Sequence, residues 1–283
     1  MEYKDLVLDE ERALYAVSDA FVKNCKFDGP ADGESALKET SNIQVQNCFM
    51  NLRYPFWHVT NGSVSDTELT ENCRAAFWYD KNLEITDSKM MGIKAIRECE
   101  AVSLKNTVVN SSEFIWKSKK LEIDNVEILG SEYPFFEVDE AKISKLKMKG
   151  KYSFQYCKDI EIKDSELDTK DAFWHSKNIT IRDSVLKGEY LGWYSENLTF
   201  INCRIIGTQP LCYCKNLVLQ NCTMENCDLS FERSTVQAEI KGNIVSVKNP
   251  FGGKIVADSI GEIIIDETIV DKTKIEIVSG GKK

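Results

Sequence analysis

Three features that mark other classes of protein are missing from this 283-residue chain. No apolar run approaches the roughly 20 residues that a helix needs to span a bilayer. The amino terminus, MEYKDLVLDEERALYAVSDAF, lacks the positive start and apolar block of a secretory signal peptide. No basic run with interleaved aromatics occurs, and the formal net charge is −9. We therefore expect no membrane-spanning segment, and neither nucleic acid nor a membrane as the main partner.

The ten cysteines could suggest a disulfide scaffold, but the missing export signal predicts a reducing, cytoplasmic location. Most of them are then expected to be free thiols that act as small apolar residues. Cys212 and Cys214 form a Cys–x–Cys pair, which is a weak zinc signal without a second clear pair. We predict no metal and no cofactor, and zinc at this pair is the lesser alternative.

The chain is built from a repeat of about 19 residues. From residue 160, three consecutive units read IEIKDSELDTKDAFWHSKN, ITIRDSVLKGEYLGWYSEN and LTFINCRIIGTQPLCYCKN. Each unit starts with an apolar–polar–apolar triplet, continues with Asp or Asn before Ser or Cys, and then has a second apolar run and an aromatic block. A period of this size, held over most of the chain, indicates a solenoid.

The remainder of each unit alternates with period two, which argues against the helical stretch of a leucine-rich repeat. The six-residue repeat of a left-handed hexapeptide β-helix is also absent. The repeat therefore predicts an all-β fold, a single-stranded parallel β-helix of about twelve coils. We expect one domain over residues 1–283, with an amino-terminal cap over 1–40, regular coils over 41–235 and cap strands over 236–283.

Alternation predicts four columns of inward-facing residues. The triplets supply two columns: Ile43/Val45, Leu83/Ile85, Val102/Leu104, Leu121/Ile123, Ile160/Ile162, Ile179/Ile181, Leu198/Phe200 and Leu217/Leu219. A third column follows the Asp/Asn turn residue by three positions: Met50, Leu69, Met90, Val109, Ile128, Met148, Leu167, Leu186, Ile205 and Met224. The fourth follows it directly and holds small residues: Cys48, Thr67, Ser88, Thr107, Val126, Ser165, Ser184, Cys203 and Cys222. The Asp or Asn tolerates left-handed backbone and marks a turn.

The direction of the aromatic block is predicted from the same alternation. Positions 172, 174 and 176 and their equivalents in other repeats carry few charged residues, so we predict that they face inward. The odd-numbered positions hold acids, His and Tyr and are predicted to face outward, although a one-residue slip would exchange the two faces. The direction of one column therefore stays open: Trp57, Trp116, Trp174 and Trp193.

The outward columns predict an acidic and aromatic ridge. Its candidate ligand-binding residues are Tyr152, Phe154, Tyr156, Phe173, His175, Tyr190, Tyr194, Gln209 and Tyr213. Rings stacked about 4.8 Å apart would suit the apolar face of a sugar, with nearby acids available to its hydroxyls. The alternative is that these aromatics are ordinary surface residues paired across strands.

Three carboxylates on this ridge are candidates for catalysis. Glu113 and Glu132 are expected about 5 Å apart, and Glu132 and Asp171 about 10 Å apart. Both separations are near those of glycosidase carboxylate pairs. Acids are common on any solvated face, so whether the protein is an enzyme stays open. The two histidines, His58 and His175, are expected about 29 Å apart, which excludes a shared metal site or dyad.

Several stretches resemble one known family over essentially the whole chain. They are GESALKE (33–39), RYPFWHV (53–59), KDAFWHSKN (170–178), GEYLGWYSENLTFINC (188–203), QPLCYCKNL (209–217) and VKNPFGGKIVADSIGEII (247–264). The chain resembles the domain of unknown function 3737 family. The resemblance implies a bacterial-type, right-handed parallel β-helix that is pectin-lyase-like. The family has no established activity, so it assigns no role to any residue here.

The sequence thus predicts a β-helix protein that binds or processes carbohydrate, with an oligosaccharide along the ridge. The alternative is a non-enzymatic scaffold whose aromatic face joins two copies into a homodimer. Burial of the ridge in a partner would make the protein a dimer at all working concentrations.

Overall fold

The computed structural model of the protein describes residues 1–29, 34–269 and 271–280. These residues form a parallel β-solenoid of about 14 turns, in which strands pair with their equivalents one repeat away. The predicted β-helix is confirmed, with slightly more coils than the expected twelve. None of the described residues belongs to a helix long and apolar enough to cross a membrane.

The chain divides into two compact units, unit 1 (residues 1–148) and unit 2 (residues 149–283). The strands that begin in unit 1 are β1 (Glu2–Lys4), β2 (Val7–Leu8), β3 (Ser18–Lys23), β4 (Lys26–Phe27), β5 (Ser41–Gln46), β6 (Phe49–Met50), β7 (Phe56–Trp57), β8 (Thr60–Ser65), β9 (Glu68–Leu69), β10 (Phe77–Trp78), β11 (Lys81–Thr86), β12 (Lys89–Met90), β13 (Ile96–Arg97), β14 (Glu100–Asn110), β15 (Lys119–Gly130) and β16 (Asp139–Lys151).

The remaining elements lie in unit 2. They are β17 (Lys158–Lys163), β18 (Glu166–Lys170), β19 (Lys177–Arg182), β20 (Val185–Lys187), β21 (Glu196–Ile201), β22 (Arg204–Ile206), β23 (Leu217–Glu225), β24 (Thr235–Lys248), β25 (Gly252–Ile264), a 3-10 turn over Lys272–Lys274 and β26 (Ile275–Ser279). The irregular carboxyl-terminal segment continues the parallel ladder, because β24 pairs with β25 and β25 with β26.

The core consists of stacked columns of like residues. In unit 2, Ile160 pairs with Ile179 and Ile179 with Leu198, so each triplet residue lies on its equivalent in the next coil. All four predicted inward columns are buried. Full burial of one such Leu or Ile side chain stabilises the fold by about 1.5–3 kcal/mol, which explains why the 19-residue period is kept.

The Asp/Asn column forms the first corner of each coil. Asp183 and Asn202 have φ of 50° and 53°, in the left-handed region that these residue types tolerate. Their side chains also bond along the solenoid axis: Asn202 Nδ2 donates to Asp183 Oδ1 over 2.9 Å, and Asn221 Nδ2 to Asn202 Oδ1 over 2.6 Å. The same side chains that make the turn therefore also link successive coils.

The small-residue column satisfies the backbone next to this corner. The Ser165 amide donates to Ser184 Oγ at 3.0 Å, and Ser184 Oγ donates to the Arg182 carbonyl at 2.6 Å. A threonine performs the same task elsewhere, where the Cys48 amide donates to Thr67 Oγ1 at 3.3 Å and Thr67 Oγ1 donates to the Ser65 carbonyl at 2.8 Å. All ten cysteines are free and buried, as predicted.

The aromatic blocks of the repeats, such as residues 171–176, form one wall of the solenoid, which we call the aromatic wall. Their side chains do not follow the predicted alternation. Asp171, Phe173 and His175 all have φ between 54° and 61°, and the segment is a succession of turns rather than a strand. Alternation of side chains between two faces holds only for extended backbone. Phe173 is consequently buried and stacks on the buried Phe154, with ring centroids 4.9 Å apart. The prediction that these two phenylalanines face solvent is wrong.

Candidate functional site

Four aromatic side chains form a continuous row on the outside of unit 2, which we call the aromatic strip: Tyr156, His175, Tyr194 and Tyr213. Successive ring centroids are 5.0, 5.2 and 4.8 Å apart, and neighbouring planes differ by no more than 14°. Each ring comes from the third left-handed position of its aromatic block, with φ of 56° to 61°. The repeat and the backbone conformation together produce the row.

The strip presents ring edges rather than ring faces. Tyr156 is 52% exposed and Tyr194 48% exposed. Because His175 and Tyr213 cover the two faces of Tyr194, its exposed surface lies at the ring edge and the hydroxyl. A sugar ring therefore cannot stack on the rings inside the strip. The strip instead offers one polar group for each coil: a hydroxyl, an imidazole nitrogen, and two further hydroxyls.

A tryptophan pair lies beside the strip and answers the question that the sequence left open. Trp174 and Trp193 stack with centroids 5.5 Å apart, and both are half-buried. Their indole N–H groups donate to the carbonyls of Tyr190 and Gln209, over 2.7 and 2.8 Å. The column faces neither fully in nor fully out. Trp174 and Trp193 link neighbouring coils through their N–H groups and expose part of their rings.

The other predicted ridge residues of unit 2 are less exposed than expected. Tyr152, Tyr190 and Gln209 are half-buried. Asp171 is only 5% exposed, and this burial raises the pKa of its carboxyl, although the neighbouring Lys170 lowers it. Asp171 thus lies in the wall, not on the predicted ridge.

The three predicted catalytic carboxylates lie in different surroundings. Glu113 accepts ion pairs from Lys94 Nζ at 3.1 Å and from Arg97 Nη1 at 3.6 Å. Its backbone amide donates to the Glu132 carbonyl at 2.7 Å, so the two residues are adjacent, as expected. The Glu113 carboxylate is thus already engaged by two cations. Glu132 is exposed in unit 1, and Asp171 belongs to unit 2.

Cys212 and Cys214 have the surroundings of structural thiols. Cys212 Sγ donates to the Pro210 carbonyl, and Cys214 Sγ to the Gly192 carbonyl over 3.0 Å. Burial raises the pKa of each thiol to about 12, which opposes the thiolate that zinc requires. Across the described ranges, no group of three or more His, Cys, Asp or Glu side chains is placed to hold a metal ion. The zinc alternative is therefore not supported.

Unit 1 carries a second aromatic group that the predicted ridge did not include. Trp57 stacks on Trp78 at 5.3 Å, and His58 stacks on Tyr79 at 5.1 Å. Lys38 Nζ lies 3.9 Å from the Trp57 ring centroid, in cation–π contact. The sequence signal for this group was the repeated Phe–Trp–aromatic triplet of the aromatic block, FWH at 56–58 and FWY at 77–79.

A family model described as "Protein of unknown function (DUF3737)" matches residues 1–278. No curated protein sequence gives a match.

Three solved structures show distant similarity. Full-length QnrB1, a plasmid-mediated fluoroquinolone resistance protein, has 10% identity and a TM-score of 0.33, covering 66% of this chain and 87% of that chain. PfbA, a surface adhesin of Streptococcus pneumoniae, has 10% identity and a TM-score of 0.31, covering 81% and 71%. The catalytic domain of a GH87 alpha-1,3-glucanase has 11% identity and a TM-score of 0.27, covering 98% and 62%.

Proposed function

The chain belongs to the DUF3737 family, whose description assigns no activity, and we propose from the geometry of unit 2 that it is a binding protein for linear oligosaccharides. The ligand lies along the aromatic strip, parallel to the solenoid axis. The observation that carries this proposal is the regular spacing of the strip, at 4.8–5.2 Å between successive rings.

A repeating ligand matches a repeating surface. Each coil supplies one polar edge group on the strip, so a polymer with hydroxyls at a similar interval can bond to several coils in the same register. Hydrogen bonds to tyrosine hydroxyls then provide specificity, and the part-exposed rings of Trp174 and Trp193 supply apolar contact beside them. The sugar in this proposal contacts the ring edges of the strip. It does not stack on ring faces, because neighbouring rings of the strip already cover them.

Removal of the strip hydroxyls tests the proposal. A glycan array of linear oligosaccharides identifies a binding sugar, and calorimetry then compares wild type with a Tyr194→Phe/Tyr213→Phe variant. This variant keeps the stacked rings and loses two hydroxyls, so we expect affinity to fall by about 1–3 kcal/mol. Tyr79→Phe is the matched control, because Tyr79 is also an exposed ring stacked on a histidine but lies outside the strip. Equal affinity of all three proteins for the sugar would refute the proposal.

A second candidate, a protein-interaction scaffold, is favoured by the exposure of Tyr156 and Tyr194 and by the stacking of both rings on His175. Tyrosine-rich surfaces of this kind are typical of protein interfaces. Sedimentation of the protein over a wide concentration range distinguishes the two functions. A dimer that dissociates in a Tyr156→Ala/Tyr194→Ala variant supports the scaffold, and a monomer at all concentrations excludes self-association through the strip.

A further inference from the structure

A cleft of about 600 Å³ lies on the outer face of the strands that carry the apolar triplets in unit 1. Its centre is a column of outward-facing residues on β8, β11, β14 and β15. In this column Ser63 pairs with Glu84, Glu84 with Ser103, and Ser103 with Glu122. The two serines leave space, and the two glutamates project beside it.

A break in the adjacent amide ladder opens the cleft further. Asn82 Nδ2 donates to Asn61 Oδ1 at 2.9 Å, which continues the pattern found along this corner. The next coil has Ala101 in place of an amide, so the ladder ends there. Both Asn82 and Ala101 line the cleft, which combines amides, hydroxyls and carboxylates around a floor of small residues.

The two carboxylates in the cleft form no close ion pair within the described residues. Glu84 has Lys105 Nζ at 3.8 Å, a long contact between exposed side chains. Lys120, the cation that lines the cleft, donates to Glu100 Oε1 at 2.9 Å. Glu122 is exposed, and no ion pair to it is formed within the described residues. A carboxylate therefore lies on each side of Ser103, and Lys142 follows Glu122 on the next coil.

The floor of the cleft contains an unpaired hydroxyl. Ser103 Oγ is buried and has no hydrogen-bond partner among the residues that the structure describes. A buried polar group without a partner destabilises the fold, and such groups normally bond a protein group, a water molecule or a ligand. This hydroxyl is placed between Glu84 and Glu122, one coil from each.

We propose that this cleft is a binding site for a linear polyamine. The α-carbons of Glu84 and Glu122 are two coil steps apart, about 10 Å, so two ammonium groups of an extended chain can each reach one carboxylate. Rotation of the Ser103 side chain about its Cα–Cβ bond brings Oγ to an internal amine of the chain. A metal ion fits the site less well, because none of the described Asp, Glu, His and Cys residues form a group of three that could ligate it.

The proposal predicts an order among probe amines. Spermidine, with two terminal amines and one internal amine, binds more tightly than putrescine, which is shorter and lacks the internal amine. n-Butylamine binds least, since it can pair with one carboxylate at a time. The affinity for spermidine falls as the ionic strength rises, because the carboxylates are at the surface.

Calorimetry with spermidine at low ionic strength tests the site. We expect Glu84→Gln and Glu122→Gln each to weaken binding about fivefold or more, and Ser103→Leu, which fills the cleft, to abolish it. The matched control is Glu161→Gln on β17, an exposed outward glutamate of a triplet strand in unit 2. It should bind as wild type does. Ser103→Val, with a smaller added volume, serves if the leucine variant does not fold.

Three results would overturn the proposal. They are no heat of binding with spermidine, an equal loss of affinity in Glu161→Gln, or full affinity in both Ser103 variants. The second result would mean attraction to the overall negative charge, and the third would mean that the cleft is not occupied. Failure of this experiment leaves the oligosaccharide proposal untouched, because the aromatic strip belongs to the other unit.

Discussion

At the scale of single residues, the fold depends on side chains that satisfy the backbone at corners. Asp80 places a carboxyl group in a column whose adjacent residues are Val59 and Cys99, and in which Ser118 and Ser176 present a hydroxyl in other coils. Asp80 Oδ1 accepts the Val59 amide at 2.7 Å, but Oδ2 has no partner among the described residues, and the side chain is fully buried. Burial raises the pKa of this carboxyl well above its usual value of 3.8.

This burial predicts a pH-dependent contribution to stability. Because the folded-state pKa lies above the unfolded-state value, the folded protein keeps a proton that the unfolded chain releases. The contribution of Asp80 is therefore most favourable below about pH 4 and is lost as the pH rises above that value. Asp80→Ser should be more stable than wild type at pH 7 by about 1–3 kcal/mol, with a smaller difference at pH 4. Urea unfolding at the two pH values measures this, and a less stable variant at both would contradict it.

At the scale of the repeated element, each coil is held to the next by the Asp/Asn corner. Asn202 contributes in two ways, through its left-handed backbone and through amide bonds to Asp183 and Asn221. The bonds are exposed, so each adds little, whereas the backbone conformation costs a non-glycine, non-Asn residue about 1–2 kcal/mol.

The two contributions can be separated by paired substitutions. Asn202→Ala loses both, and we expect it to destabilise the protein by about 1–2 kcal/mol. Asn202→Gly loses the amide bonds but adopts the left-handed conformation readily, so it should cost less than alanine. Midpoints of urea unfolding give the comparison. Equal midpoints for the alanine variant and wild type would contradict the prediction, because they would show that neither the left-handed backbone nor the amide bonds of Asn202 affect the free energy of unfolding.

At the scale of the whole molecule, a solenoid binds each coil mainly to its neighbours, so coils can open separately. The ten buried cysteines are distributed along the chain and report on this opening. Burial raises the pKa of Cys73 to about 11 and of Cys227 to about 12, so these thiols react only when their coils open.

Thiol labelling under native conditions should therefore proceed at different rates in different coils. We expect the fastest and slowest cysteines to differ by about tenfold or more, equal to about 1.4 kcal/mol in opening free energy. Mass spectrometry of digested, pulse-labelled protein assigns each rate to its residue. A single rate shared by Cys25, Cys99, Cys157 and Cys227 would instead indicate one cooperative unfolding of the chain.

The sequence alone determined the repeat, the parallel β-solenoid and the inward columns. These follow from apolar periodicity, and the residues predicted to fill them, such as Ile179 and Leu186, are buried. Extended backbone makes alternation reliable there. The Asp/Asn corners were also predictable, because Asn202 tolerates the left-handed conformation that a sharp turn requires.

Which side chains of the aromatic blocks are exposed depends on tertiary structure. Left-handed backbone at alternate residues breaks the two-face rule, so Phe173 is buried while His175, two positions later, is exposed. Residue type does not predict left-handed backbone at these positions, because Phe, His and Tyr occupy them and none of these favours it as Gly or Asn does. The cleft around Ser103 depended on tertiary structure for another reason. It arises from small residues of different coils placed side by side, and their proximity exists only after the chain has wound into its ladder.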